Sequence, residues 1–203
     1  MKKDSSTPQR VRIISGYWRS RLVNIVDSPG LRPTTDRVRE TVFNWLNPYL
    51  YQARVIDLFA GTGILGLEAC SRGASEVSFI EKNAFVLQAL QTNLEKLKPD
   101  PPNSNIKCIG IDALKWLKNQ DQIDADIIFI DPPFNEVQLL EETLVTLTKK
   151  INKARPPIIY VESSSKLDNE IIIRYLPGWV LEKQLIAGAV SANILKLAPT
   201  SEN

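Results

Sequence analysis

The stretch Val55-Ile56-Asp57-Leu58-Phe59-Ala60-Gly61-Thr62-Gly63-Ile64-Leu65-Gly66 constrains the chain more than any other. Its apolar run reads as a buried strand and a turn of small residues follows. Leu65, Leu67, Ala69 and Cys70 then open an apolar helical face. Strand, tight loop and helix start together bring backbone N–H groups and the positive end of a helix beside whatever fills the loop. Gly61, Gly63 and Gly66 form a G-x-G-x-x-G pattern, and Glu81 closes the next strand. On spacing alone this suits a dinucleotide as well as any other nucleotide-like ligand.

Charge separates those ligands. Asp57 lies on the strand just before the loop, where its carboxylate repels a pyrophosphate and favours a ligand bearing an ammonium and a sulfonium. S-adenosylmethionine is such a ligand: it offers a ribose and carries no phosphate.

From Ala53 onward, strand and helix patterns alternate. Residues 54–59, 76–81, 106–111, 126–130 and 157–162 read as strands, and 63–71, 84–97, 113–118 and 136–152 as helices. Apolar strands spaced by helices imply a parallel sheet covered on both faces. After a short helix over 167–175, two long strands at 179–186 and 190–197 flank Ala187-Gly188-Ala189 as an antiparallel hairpin. The expected fold is therefore α/β: a Rossmann-like class I methyltransferase sheet of seven strands, mostly parallel, ending in an antiparallel hairpin. That domain spans 51–203, and residues 1–50 form an N-terminal β-hairpin and helix extension. In the extension, a polar tail precedes strands at 11–16 and 22–26. A helix then runs from Asp36, with Thr35 as N-cap and Asn47-Pro48 as its end.

The ligand of an open α/β sheet lies outside the carboxyl ends of the strands, and four strands here end in an acid. Asp57 ends the first. Glu81 ends the second and suits paired ribose hydroxyls. Asp112 ends the third, where its carboxylate or the adjacent backbone at Ala113 meets an adenine amino group. Asp131 ends the fourth, in Asp131-Pro132-Pro133-Phe134. Two prolines cannot continue a ladder and stiffen the loop, so the Asp131 carboxylate and the Pro132 carbonyl become preset acceptors. An exocyclic base amine is a poor nucleophile because its lone pair is delocalised into the ring. Two acceptors hold its hydrogens, aim the lone pair and stabilise charge developing on nitrogen. Phe134 stacks on the base once it has left its own stack. The chain has no histidine, which excludes a His-dependent triad and a His-ligated zinc site, and this chemistry needs neither. No metal is expected.

A net charge of +2 hides an asymmetry: residues 1–40 carry +5 and the remainder −3. Arg12, Arg19, Arg21, Arg32, Arg37 and Arg39 form either a solvated surface or an electrostatic footprint for a nucleic-acid backbone. Tyr17 and Trp18 either stack on bases or cover the hairpin's own face. Cys70 and Cys108 fall in apolar segments and read as buried free thiols. No apolar run reaches the roughly 18 residues of a membrane span, and the N-terminus lacks a signal-peptide core. A cytoplasmic protein without membrane partners is the expectation.

Arg12-Ile13-Ile14-Ser15-Gly16, Arg32-Pro33-Thr34-Thr35-Asp36-Arg37-Val38-Arg39-Glu40, Phe43-Asn44-Trp45-Leu46, the glycine loop and Asp131-Pro132-Pro133-Phe134 together closely resemble the RsmD-type 16S ribosomal RNA guanine-N2 methyltransferases. The resemblance runs from about residue 10 to about residue 165. It implies methyl transfer from S-adenosylmethionine, leaving S-adenosylhomocysteine, to N2 of a guanine at position 966. The substrate would be 16S rRNA in an assembling or assembled small ribosomal subunit, and the enzyme a monomer. The resemblance also sets 34–39 beside the methionine end of the cofactor. Arg37 then faces the cofactor carboxylate, an RNA phosphate or Glu40. The match weakens at the last strand, where a basic, tyrosine-containing segment is expected and Ala192-Asn193-Ile194-Leu195-Lys196-Leu197 offers one lysine. Two other readings stay open: a DNA adenine-N6 methyltransferase, and a catalytically silent nucleic-acid-binding protein with the same fold.

Overall fold

Runs of Val, Ile and Phe bounded by Gly, Asp and Pro become the strands of one sheet, and amphipathic or fully apolar segments become the helices that cover it. The computed structural model describes residues 10–25, 36–167 and 169–199. The chain passes through β1 (Arg10–Arg12), β2 (Leu22–Asn24), α1 (Asp36–Leu50), β3 (Arg54–Asp57), α2 (Ile64–Ser71), β4 (Glu76–Ile80), α3 (Ala84–Leu97) and β5 (Asn105–Ile109). It continues through α4 (Ala113–Lys118), β6 (Ile127–Ile130), α5 (Val137–Thr148), β7 (Ile158–Ser164), α6 (Asn169–Tyr175), β8 (Trp179–Ala187) and β9 (Val190–Leu197).

The main sheet has the order β5-β4-β3-β6-β7-β9-β8. Pairings from β5 through β7 are parallel, and β9 runs antiparallel to both β7 and β8. Strand order reverses between β3 and β6, so a crevice opens at their carboxyl ends. One apolar cluster lies on the face of α1, α2, α3 and the N-terminal hairpin, and a second on the face of α4, α5 and α6. Ile13, Trp18 and Val23 from the hairpin belong to the first cluster together with β3 and α2.

Several boundaries differ from the sequence-based expectation, each for a local reason. The first strand of the hairpin stops at Arg12 because the N–H groups of Ile14 and Ser15 donate to the Glu68 carboxylate, at 2.7 and 3.0 Å, and not to a partner strand. Helix α1 runs through Pro48 to Leu50. The proline removes one N–H in the last turn, yet fully buried Leu46 and Leu50 hold that turn on the core. Helix α5 ends at Thr148, four residues early, because Ile151 forms a parallel bridge to Ile123. Trp18 is fully buried, with its indole N–H on the Pro99 carbonyl at 3.1 Å, so it is a core residue and not a base-stacking one. Tyr17 beside it is exposed. Cys70 is buried and Cys108 half-buried, both free. The expected N-cap Thr35 and the polar N-terminal tail lie outside the described residues.

Candidate active site

The loop after β3 is fixed from both sides. Leu58 N donates to Phe129 O of β6 at 3.1 Å, and Ala60 N donates to Ile80 O of β4 at 3.0 Å. Gly63 sits at φ +83° as the residue capping α2, and a Cβ there would lie 2.3 Å from Leu90 Cδ1. Only glycine lets the chain turn into α2 this close to α3.

Asp57 is buried at 1% exposure, and its Oδ2 accepts from Gly66 N at 3.1 Å. The Asp57 carboxyl thus already takes up the Gly66 amide in the first turn of α2, one of the donors a phosphate would need. The second oxygen, Oδ1, is buried with no hydrogen-bond partner among the described residues. Burial pushes the Asp57 carboxyl up to about 7, helped by the charge of Glu81 and opposed by the N–H groups of Gly66 and, less strongly, Phe59. An orphaned buried acceptor of this kind is completed by a cation or a hydrogen-bond donor arriving from the cleft.

Glu81 is preset by two backbone donors: Oε2 accepts from Gly61 N at 2.9 Å and Oε1 from Asn83 N at 2.7 Å. Asp112 caps α4, with Oδ1 accepting from Lys115 N at 3.1 Å. Asp131 follows β6 and is half-buried. Burial first, then the neighbouring Glu162 and Asp57, hold its carboxyl well above the ordinary carboxylate range.

Asp57, Ala60, Gly61, Glu81, Asp112, Ala113, Asp131, Pro132 and Phe134 line one cleft of about 490 Å³. The carboxylates at four consecutive strand ends therefore converge on one space. Gly63 does not line it and serves the α2 turn instead. Ile25, Phe59, Asn83 and Leu139 line it too. Ile25 carried no sequence signal, because it arrives from the extension: Asn24 and Asn93 exchange two hydrogen bonds, at 3.1 and 2.9 Å, which lay the end of β2 across α3. Glu162 ends the sequence-based strand 157–162, yet it lies inside β7, two residues before that strand's end, and does not line this cleft. Among the described residues no cluster of His, Cys, Asp and Glu suits a metal ion.

The arginines part company. Arg12, Arg19 and Arg37 are exposed, and Arg32 lies outside the described residues. Among the described residues no ion pair joins Arg37 to Glu40. Arg39 corrects the expectation of an RNA contact: it is fully buried, bound to Asp36 at 2.6 Å and to the Arg12 carbonyl at 2.9 Å. Arg21 is also turned inward, donating to the Leu97 and Lys96 carbonyls at the carboxyl end of α3.

A seven-stranded sheet of this order, with an antiparallel final hairpin and an acid-lined crevice at the switch point, is the fold of the class I methyltransferases. The chain overlays the putative methyltransferase yhhF of Escherichia coli with a TM-score of 0.79 at 38% identity, over 94% of this chain and 99% of that one. It shares its fold, at 18% identity and a TM-score of 0.68, with the Thermus thermophilus 16S rRNA N2 G1207 methyltransferase RsmC solved with AdoMet and guanosine, covering 95% of this chain and 50% of that one. The family model described as conserved hypothetical protein 95 matches residues 11–196. Ribosomal RNA small subunit methyltransferase D of Escherichia coli K12 is 40% identical over 203 residues, 100% of this chain and 98% of that protein. Its namesake in Haemophilus influenzae is 42% identical over 183 residues, 89% of this chain and 91% of that protein. The chain belongs to this family, that of ribosomal RNA small subunit methyltransferase D.

Proposed function

We propose that this protein transfers a methyl group from S-adenosylmethionine to the exocyclic N2 of a guanine in small-subunit ribosomal RNA. The observation that carries the reading is the orphaned buried oxygen of Asp57 in the same cleft as Asp131. In this reading one acid serves a cationic donor and the other an amine. The names of the relatives support ribosomal RNA as the substrate class.

The residues present fit the cofactor. Asp57 would face its ammonium and sulfonium, Glu81 its ribose hydroxyls, and Asp112 with Ala113 its adenine. Once bound, S-adenosylmethionine supplies an electrophilic methyl on a positively charged sulfur. The chain's own contribution is positioning: Asp131 and the Pro132 carbonyl hold the amine hydrogens so that the nitrogen lone pair points at the methyl carbon. Phe134 gives the extruded base a ring to stack on. Half-burial of Asp131 strengthens its hydrogen bonds as charge develops on nitrogen. Exposed Arg12, Arg19 and Arg37 would meet the RNA backbone.

Incubation with labelled methyl donor and small subunits from cells lacking the enzyme, alongside naked RNA and duplex DNA, tests the reading. Label is expected in ribosomal RNA. Label confined to duplex DNA would favour the adenine-N6 alternative, and none anywhere would favour a silent binding module.

A further inference from the structure

Ile25 takes no part in the scheme above, yet it is half-buried in the same cleft as Asp57 and Glu81. The extension reaches that cleft by climbing α3. Trp18 donates its indole N–H to the Pro99 carbonyl at 3.1 Å, and Arg21 donates to the Leu97 carbonyl at 3.1 Å and to that of Lys96. Three residues further on, the Asn24 backbone meets the Asn93 side chain. Step by step these partners approach the amino end of α3, which borders the cleft through Asn83 and Val86. Val86, Leu90 and Asn93 are buried on α3 at the spacing of a single helical face. Leu90 on that face stands against Gly63, so the stripe that holds the extension also backs the glycine turn.

Asn93 is 3% exposed, and both ends of its amide are taken up by Asn24: Nδ2 donates to the carbonyl at 2.9 Å and Oδ1 accepts from the N–H at 3.1 Å. A buried amide satisfied in this way fixes the backbone one residue before Ile25. Val23 is fully buried in the core, and strand alternation turns Ile25, two residues on, toward the same inward side. We propose that Ile25 is a binding residue for the methyl donor, packing on its carbon surface, and that Asn93 is the positioning residue that keeps Ile25 there. The inference rests on the reading of the cleft as the S-adenosylmethionine site. In that reading the ligand's polar groups are matched by Asp57, Glu81 and Asp112. Its methylene chain and ribose carbons, between those acids, need apolar cover, and Ile25 supplies it from the extension. The unit whose exposed Arg12 and Arg19 are assigned to RNA thereby also completes the wall of the donor cleft.

Calorimetric titration with S-adenosylhomocysteine tests this without any turnover. Ile25→Ala should weaken binding about five- to tenfold, the worth of roughly one to two covered carbon groups, and Ile25→Val about two- to threefold. Asn93→Leu keeps the volume and removes the amide. It should weaken binding about five- to tenfold in the Ile25 protein and by less than about twofold in the Ile25→Ala protein, because its effect passes through that side chain. Leu22→Ala, exposed on the same strand, should leave the affinity unchanged. Thermal melting establishes that each variant is folded. Wild-type affinity in a folded Ile25→Ala protein would overturn the proposal. Equal losses from Asn93→Leu in both backgrounds would overturn its positioning role. A wild-type protein that binds no S-adenosylhomocysteine would overturn the cofactor reading itself, a failure distinct from both.

Discussion

The two oxygens of Asp57 have different fates, and that difference makes a pH prediction. Oδ2 is held by Gly66, whereas Oδ1 waits for a partner. Because burial raises the folded carboxyl to about 7 from 3.8, the neutral form is favoured in the empty protein. This group's contribution to stability is therefore full below the unfolded value and is lost as pH rises to about 7. A cationic ligand prefers the ionised form, so S-adenosylmethionine affinity should rise with pH, by up to about tenfold per unit below 7, then level off. Calorimetric titration across that range checks it, and Asp57→Asn should flatten the profile. Glu81→Ala should weaken the cofactor by about 1.5–3 kcal/mol, the worth of a charge-assisted hydrogen bond. Asp131→Ala should lower the transfer rate at least about a hundredfold and leave cofactor affinity nearly unchanged. Lost binding in a folded Asp131→Ala protein would reassign that residue.

Helix α2 does two jobs, and only one was legible in the sequence. Its amino end, with the glycine turn and Asp57, could be read because a strand, small residues and an apolar helix are local signals. Its outer half could not. Glu68 is fully buried and gathers Ile14 N, Ser15 N and the Arg72 guanidinium (2.7 Å), with Arg39 at 3.9 Å. Apart from Arg72, one turn away, these partners lie far from Glu68 in sequence, and a mid-helix glutamate ordinarily reads as a solvated face. The same blindness put Arg39 on the surface and kept Ile25 out of the cleft. Gly16 belongs to this seam as well: at φ +83°, a Cβ would come 1.8 Å from Ser71 O. Glu68→Gln should cost about 3–5 kcal/mol, since it leaves buried arginine charge poorly compensated. Denaturant unfolding measures the loss. A cost below about 1 kcal/mol would mean that the network is not what holds the extension to the core.

At the scale of the molecule, the basic excess of the first forty residues divides between inside and outside. Arg39 and Arg21 serve structure, while Arg12 and Arg19 remain on the surface. Replacing Arg12 and Arg19 with alanine should weaken RNA binding and flatten its dependence on salt by about one to two units of slope. Filter binding across salt concentrations reads both, and an unchanged slope would place the RNA elsewhere. The alternation of strand and helix disclosed the sheet, and strand-end acids disclosed the cleft. Docking of the extension onto α3 stayed hidden because it depends on contacts such as Asn24 with Asn93 that leave no periodic trace. The central claim, that these acids bring a cationic methyl donor and a guanine amine together, is met most directly by mass spectrometry of nucleosides from small subunits methylated by wild-type protein and by Asp131→Ala. The account predicts N2-methylguanosine with the first and none with the second. A different methylated nucleoside, or equal product from both proteins, would contradict it.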